Sequence, residues 1–191
     1  MIEAFLVSTG VVALAEIGDK TQLLALVLAA RFRRPMPIIL GILVATLANH
    51  ALAGAAGAWI AQLVGPTAMR WILGLSFIAM AAWTLVPDKY DEDADTAAGR
   101  FGVFGTTLVA FFLVEIGDKT QIATVALAAK YGSLVAVVSG TTLGMLLANV
   151  PAVLLGEVAA KKLPMRLVHG IAAAIFLVLG VSVLLGAGKF G

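Results

Sequence analysis

A seven-residue segment with the sequence EIGDKTQ occurs twice in this chain, at residues 16–22 and again at residues 115–121. Each copy brings two carboxylates, one ammonium group, a hydroxyl and an amide into the middle of an apolar stretch. Charged side chains inside a membrane are costly, and they are typical of sites that bind or move an ion. The copies lie 99 residues apart, and the similarity extends from residues 16–32 to residues 115–131. The pattern therefore predicts an internal duplication with one charged motif in each half.

The spacing of the charges predicts that each motif presents them on one helix face. If the motif is α-helical, Glu16, Asp19 and Lys20 project within about 100° of arc. At about 2.5–3.5 kcal/mol per charged residue, the six charged groups would cost on the order of 15–20 kcal/mol if each faced lipid alone. We therefore expect the two motifs to meet in one cavity, where four carboxylates and two ammonium groups face one another or water.

The formal charge of the two motifs indicates which ions could occupy such a cavity. Each motif carries −1 when ionised, so the pair carries −2, which one divalent cation or two protons would balance. A cation that binds carboxylates displaces their protons, and protons displace the cation. This competition is the simplest mechanism of a cation/proton antiporter. We expect Lys20 and Lys119 to act as tethered countercharges while no cation is bound.

The ligand types narrow the choice of cation. The motifs offer oxygen atoms and no sulfur or imidazole, which suits Mn²⁺, Ca²⁺ or Mg²⁺ and argues against Zn²⁺ and copper. The candidate metal ligands are Glu16, Asp19, Gln22, Glu115, Asp118 and Gln121. The candidate supporting residues are Lys20, Lys119, Thr21, Thr120, Asn49 and Asn149.

Two further pairs of residues, with one member in each half of the chain, allow more than one interpretation. Gly18 and Gly117 could unwind their helices and expose backbone carbonyls, or they could only permit close helix packing. Asn49 and Asn149 occupy nearly matching places in the two halves and could orient the carboxylates, bind the ion, or only join helices. His50 has no matching histidine in the second half, so we expect no role for it. His169 lies at the end of a span, where we expect an interfacial residue.

Composition predicts an integral membrane protein. Hydrophobic residues make up 61% of the chain, charged residues 13%, and the mean hydropathy is +1.05. The chain has no cysteine, which excludes disulfides and thiolate metal sites. Its basic residues form no stripe that would indicate nucleic-acid binding. Windows long enough to cross a bilayer as helices occur six times, at residues 4–30, 36–62, 68–86, 102–129, 133–158 and 166–187.

The fold class that follows is an all-α membrane protein of six transmembrane helices in two inverted three-helix repeats. An odd number of spans per repeat inverts the second copy in the membrane, as in many secondary transporters. We expect residues 1–86 to form the first repeat, residues 87–101 an acidic cytoplasmic linker and residues 102–191 the second repeat. The connections after spans one, three and five carry eight of the basic residues outside the motifs, and the opposite side carries three, which predicts that both termini lie outside the cytoplasm.

Rival functions remain open from the residues alone. A passive cation channel could use the same acidic ring, and only coupling of the cation flux to protons would distinguish it. An intramembrane enzyme could use paired carboxylates as acid and base, but the chain shows no nucleophile arrangement, so we expect no enzymatic activity. No phosphate-binding loop of the GxxxxGK(S/T) type is present, so we expect no use of ATP.

Two copies of a Glu-x-Gly-Asp-Lys-(Thr/Ser) motif in a small protein of six hydrophobic spans resemble the Gdt-type family of cation exchangers, first described as uncharacterised membrane proteins. The resemblance covers nearly the whole chain. It implies exchange of Mn²⁺, or secondarily Ca²⁺, for protons, with ion binding by Glu16, Asp19, Glu115 and Asp118. It also implies Mn²⁺ export. Because no N-terminal targeting extension is evident, we expect a bacterial inner-membrane protein. The cation and protons are expected as substrates, with no resident cofactor, and the oligomeric state stays open.

Overall fold

The computed structural model describes residues 1–86, 102–155 and 165–186, and all the regular structure in these ranges is helical. We number the described helices α1 to α8. Their bounds are α1 Ile2–Glu16, α2 Lys20–Phe32, α3 Pro35–Leu63, α4 Pro66–Thr84, α5 Gly102–Glu115, α6 Lys119–Tyr131, α7 Leu134–Leu155 and α8 Met165–Leu184. The predicted linker at 87–101 and the predicted span ends at 156–158 and 187 lie outside the described residues.

Three of the described helices are long and apolar enough to cross a membrane, judged by length and composition. They are α3, α7 and residues Arg166–Leu184 of α8. Many large apolar side chains face outward, among them Leu52 and Trp59, which are 63% and 62% exposed. Exposed apolar surface on this scale needs an apolar surrounding, and lipid provides it.

The predicted spans 4–30 and 102–129 are not continuous helices. The first consists of α1 and α2, the second consists of α5 and α6, and each break falls within a motif. Gly18 and Gly117 adopt left-handed backbone conformations, with φ of 83° and 77°. A right-handed helix cannot continue through such a residue, and glycine adopts this conformation without a steric penalty. The expectation that each motif lies on one helix face is therefore wrong, and the glycines unwind their helices.

The two halves of the chain interlock. α1 packs along α7 and α5 packs along α3, while α4 pairs with α8 and α3 also contacts α6 and α7. These helices enclose two apolar clusters, one built around Phe77, which stacks on Phe176 of α8 at 6.4 Å between ring centroids, and one built around Phe111. Among the described residues, both clusters contain side chains from both halves of the chain.

Glycines allow several close helix contacts, and one pair of these contacts repeats at the offset of the duplication. A methyl group on Gly41 of α3 would lie 2.7 Å from Cβ of Thr107 and 3.0 Å from the carbonyl oxygen of Phe104. A methyl group on Gly140 of α7 would lie 3.0 Å from Cβ of Ser8 and 2.6 Å from the carbonyl oxygen of Phe5. Each residue of the second set lies 99 positions from its partner in the first. By contrast, Gly10 and Gly170 have open space around them and support no close contact.

Replacing Gly140 with alanine is expected to separate α7 from α1, because the clash is with backbone that cannot move alone. Overpacking of this kind costs about 1–3 kcal/mol of folding free energy. The midpoint of thermal unfolding of the purified protein in detergent should therefore fall for Gly140→Ala. The matched control is Gly10→Ala on α1, which has nothing within 4 Å and should lose no stability. Equal midpoints for the two variants would contradict the proposed close packing.

Candidate cation site

Each helix break is closed by its own glutamine. The backbone N–H of Gly18 donates to Oε1 of Gln22 at 2.9 Å, and that of Gly117 donates to Oε1 of Gln121 at 2.8 Å. Unpaired backbone donors are expensive in a membrane, so a break needs such a partner. In both motifs the aspartate is the residue that precedes the next helix, and its backbone is extended.

The other end of each glutamine amide is also engaged. Nε2 of Gln22 donates to the carbonyl oxygen of Ala148 at 2.9 Å, and Nε2 of Gln121 donates to Oδ1 of Asn49 at 2.7 Å. Both bonds tie a motif to a helix of the opposite half. In this conformation the two glutamines, which the sequence indicated as candidate ligands, hold the breaks in shape.

The lysine of each motif binds the aspartate of the other motif. Nζ of Lys119 lies 2.6 Å from Oδ1 of Asp19, and Nζ of Lys20 lies 3.0 Å from Oδ1 of Asp118. Lys119 is 2% exposed whereas Lys20 is 25% exposed, and both aspartates are buried. A charge removed from water requires a paired charge, and here the pairing crosses between the halves. The expected meeting of the two motifs is thus found in the structure.

Three of the four motif carboxylates form a compact group. One oxygen atom from each of Glu16, Asp19 and Asp118 lies within 4.8 Å of the others, and all three residues are buried. The fourth, Glu115, is also buried and lies within electrostatic reach of Glu16. Oxygen atoms at these separations can bind one divalent cation after small movements.

The threonine hydroxyls make different hydrogen bonds in the two motifs. The hydroxyl of Thr21 donates a short hydrogen bond to Oε2 of Glu16. The hydroxyl of Thr120 is 3.2 Å from Oδ2 of Asp118 and 3.5 Å from Oε2 of Glu115. Within the described part of the chain, Oε1 of Glu16 and Oε1 of Glu115 have no hydrogen-bond partner. These two oxygens remain available to a cation.

The two asparagines do not occupy equivalent environments. Asn49 joins α3 to the opposite half, because its Nδ2 donates to the carbonyl oxygen of Phe112 at 2.9 Å and its Oδ1 accepts from Gln121. Asn149 donates to the carbonyl oxygen of Met145 in its own helix at 3.0 Å. At the 99-residue offset of the motifs, the residue that corresponds to Asn149 is His50. The near match of the two asparagines in sequence is therefore not a match in space.

Two histidines contact the motifs, although we expected a role in the site for neither. His50 is fully buried, with Nε2 3.6 Å from Oε2 of Glu115. His169, near the start of α8, has Nε2 2.9 Å from the carbonyl oxygen of Ile17, which the first break exposes. One signal in the sequence pointed to His50, because at the 99-residue offset of the motifs it aligns with Asn149.

A buried, cross-paired set of carboxylates and lysines among apolar helices is the kind of site that ion transporters contain. The family profile described as "Divalent cation/proton antiporter GDT1" matches residues 4–92 and 103–189. The chain therefore belongs to the GDT1 family of divalent cation/proton antiporters, a family of membrane transporters and not of enzymes. The resemblance indicated by the doubled motif is confirmed.

Curated relatives cover most of this chain. A protein of Vibrio cholerae serotype O1 with the name "Putative manganese exporter" is 50% identical over 92% of this chain and 88% of its own length. "GDT1-like protein 3" of Oryza sativa is 28% identical over 95% of this chain and 74% of its own length. A GDT1-like protein of Synechocystis is 26% identical over 95% of this chain and 96% of its own length. No solved structure matches this chain.

The unequal exposure of the two lysines leads to a prediction about stability. Lys119→Gln leaves Asp19 without its ammonium partner in a buried place, and losing one member of a buried pair costs on the order of 3–5 kcal/mol. Lys20→Gln should cost less, because Lys20 is 25% exposed and water can compensate. Thermal unfolding in detergent compares the two variants.

The control for this experiment is the double variant Asp19→Asn with Lys119→Gln, which removes both charges and should recover part of the lost stability. Equal losses in the two single variants, or no recovery in the double variant, would show that the cross-paired charges do not govern stability.

Proposed function

We propose that this protein exports Mn²⁺ from the cytoplasm in exchange for protons, with Ca²⁺ as a second possible substrate. Membership of the antiporter family supplies the cation and the proton as the exchanged species. The name of the Vibrio cholerae relative supports Mn²⁺ and export. The observation that carries the proposal is the reciprocal pairing of Lys119 with Asp19 and of Lys20 with Asp118, because it joins both motifs in one site.

We assign cation binding to Glu16, Asp19, Asp118 and Glu115. The first three already lie within the spacing that one ion requires, and the two glutamates retain unpartnered oxygens within the described residues. Gln22 and Gln121 stabilise the backbone of both breaks, and Asn49 binds Gln121. Thr21 and Thr120 orient the glutamate carboxylates.

The lysines supply positive charge to the aspartates until a cation binds in their place. While no cation is bound, each ammonium group neutralises the aspartate of the opposite motif. An arriving divalent cation competes for the same aspartate oxygens, so the ammonium groups must move aside as the cation binds. The ionised site carries −2 in total, which matches one divalent cation or two protons. Protons that bind the carboxylates release the cation and reset the site.

The family's exchange activity fits six transmembrane spans in two inverted repeats, residues 1–86 and 102–191. Three contacts support this arrangement. The start of α3 lies against the start of α5 at Gly41, and the start of α7 lies against the start of α1 at Gly140. The hydroxyl of Tyr131 at the end of α6 is 3.5 Å from Oε1 of Glu3 at the start of α1. If the halves were not inverted, the end of α6 would lie at the opposite membrane face from the start of α1.

The two helix breaks differ in exposure. Alternating access requires such a difference, because only one side of the site is open in each conformation. The first break is partly covered, because His169 of α8 contacts the carbonyl oxygen of Ile17 and the Ile17 side chain is half-buried. At the second break, Ile116 is 55% exposed, and Gly117 has nothing within 4 Å of a Cβ position. Exchanging the conformations of the two repeats would cover the second break and expose the first. In this mechanism the cation site becomes accessible from each side in turn.

We place the protein in the inner membrane of a bacterium, with both termini outside the cytoplasm. The excess of basic residues in the odd-numbered connections supports this orientation, and Arg33 and Arg34 between α2 and α3 form part of that excess. Cytoplasmic loops attract such an excess of Lys and Arg during insertion.

A transport assay tests the function. Purified protein in sealed vesicles with an imposed pH gradient should take up Mn²⁺ while the internal pH changes in step. Glu16→Gln and Asp118→Asn each remove a ligand charge and should reduce Mn²⁺ flux by about 100-fold or more, because changes in the outer-shell partners of metal ligands already cost about 10–100-fold. The matched control is Glu3→Gln, which alters an exposed carboxylate of the same helix and should leave the flux unchanged.

An Mn²⁺ flux that does not depend on the pH gradient would indicate a passive channel. Normal flux in both ligand variants would remove the proposed site.

A labelling experiment tests the inverted arrangement separately. The chain has no cysteine, so a single introduced thiol reports its own position. Arg34 and Ser133 are equivalent positions of the two halves, 99 residues apart, and each lies just before a long helix. With a reagent that does not cross membranes, Ser133→Cys in intact cells should be labelled and Arg34→Cys should be protected. Labelling of both thiols from the same side would contradict inverted repeats.

A further inference from the structure

His50 is one of two adjacent polar residues of α3 that face the second motif, and unlike Asn49 it has no hydrogen-bond partner among the described residues. His50 is fully buried, and neither Nδ1 nor Nε2 has a hydrogen-bond partner among the described residues. Its nearest charged atom is Oε2 of Glu115, at 3.6 Å from Nε2, beyond hydrogen-bond distance. Burying an unpaired imidazole costs free energy, which a bound ion would offset.

The neighbouring residue, Asn49, has a different structural role. Asn49 uses its amide nitrogen on the carbonyl oxygen of Phe112 and its amide oxygen on Gln121. Its hydrogen bonds are therefore committed to holding α3 against the second motif. That contact brings His50, the next residue, beside Glu115, whose Oε1 also has no partner within the described ranges. Asp118 also lies within electrostatic reach of His50.

The second half of the chain does not reproduce this group. The corresponding residue is Asn149, which donates to Met145 in its own helix, while its Oδ1 has no partner among the described residues. The α3 position therefore carries an imidazole where the equivalent position of α7 carries an amide. Ca²⁺ and Mg²⁺ prefer oxygen ligands, whereas a neutral imidazole nitrogen is a common ligand of transition-metal ions.

We propose that His50 is a nitrogen ligand of the transported cation, beside Glu115, and that it favours transition-metal ions such as Mn²⁺ over Ca²⁺. This inference rests on the proposed function, since it concerns the same site. One nitrogen among oxygen ligands adds affinity for Mn²⁺ and more for Co²⁺, which stands higher in the order of divalent affinities. It adds little for Ca²⁺.

Pulsed electron paramagnetic resonance of bound Mn²⁺ tests this ligand directly, because a coordinated nitrogen nucleus modulates the Mn²⁺ signal. The chain contains two histidines, His50 and His169, so the assignment is simple. The protein is used in detergent with any purification tag removed. We expect nitrogen coupling in the unaltered protein and in His169→Gln, and no coupling in His50→Gln. Bound Mn²⁺ without nitrogen coupling, or coupling that survives in His50→Gln, would overturn the proposal.

Transport selectivity gives a second readout that a purely structural role would not change. His50→Gln replaces the nitrogen with an amide oxygen of similar reach, and His50→Asn gives α3 the residue that α7 carries. In vesicles, KM for Mn²⁺ should rise by about tenfold or more, which corresponds to about 1.4 kcal/mol of binding free energy. KM for Ca²⁺ should change much less, and retained Ca²⁺ flux shows that the variants fold. Equal changes in the two KM values, or no change in either, would contradict a selective nitrogen ligand.

The two proposals can fail separately. Nitrogen coupling requires only Mn²⁺ binding, so it can appear even if the vesicles show no exchange for protons, which would disprove the antiporter mechanism alone. Conversely, proton-coupled Mn²⁺ flux without nitrogen coupling would leave the antiporter and remove His50 from the site.

Discussion

The cost of burying charge in an apolar medium governs this structure. Each lysine of the motifs pairs with the aspartate of the opposite half, Lys119 with Asp19 and Lys20 with Asp118. The charges therefore require the two halves to come together, and the close contacts at Gly41 and Gly140 permit it. The same cross-pairing brings together the carboxylates that we propose as cation ligands, so in this proposal stability and function depend on the same few atoms.

The helix breaks solve a second problem created by the membrane. An unbroken helix would engage every backbone group and leave the motif charges on one narrow face. Breaking it at Gly18 and Gly117 allows the carboxylates of α1, α2 and their counterparts to approach one another. The freed amides would be costly in lipid, and the Gln22 and Gln121 side chains satisfy them. Residues that resemble ligands in sequence thus maintain the backbone shape on which the ligands depend.

Identical motif sequences occupy unequal surroundings, and this inequality suits a transporter. Lys20 is partly exposed while Lys119 is buried, and Ile17 at the first break is half-buried while Ile116 at the second is exposed. In the mechanism that we propose, the two repeats exchange these roles. The two halves differ at some equivalent positions, such as His50 beside the second motif. We propose that these differences contribute to selectivity for the transported cation.

The sequence by itself determined the helical membrane class, the family and the meeting of the charged motifs. Hydropathy and a duplicated charged motif constrain these strongly, because a bilayer leaves few ways to bury backbone and charge. Only the tertiary structure decided that the motifs break their helices, since Gly18 suits either a break or close packing. It also decided that Asn49 and Asn149 play different parts, and that His50 lies beside Glu115. These facts depend on distances between residues far apart in the chain, and local periodicity carries no information about such distances.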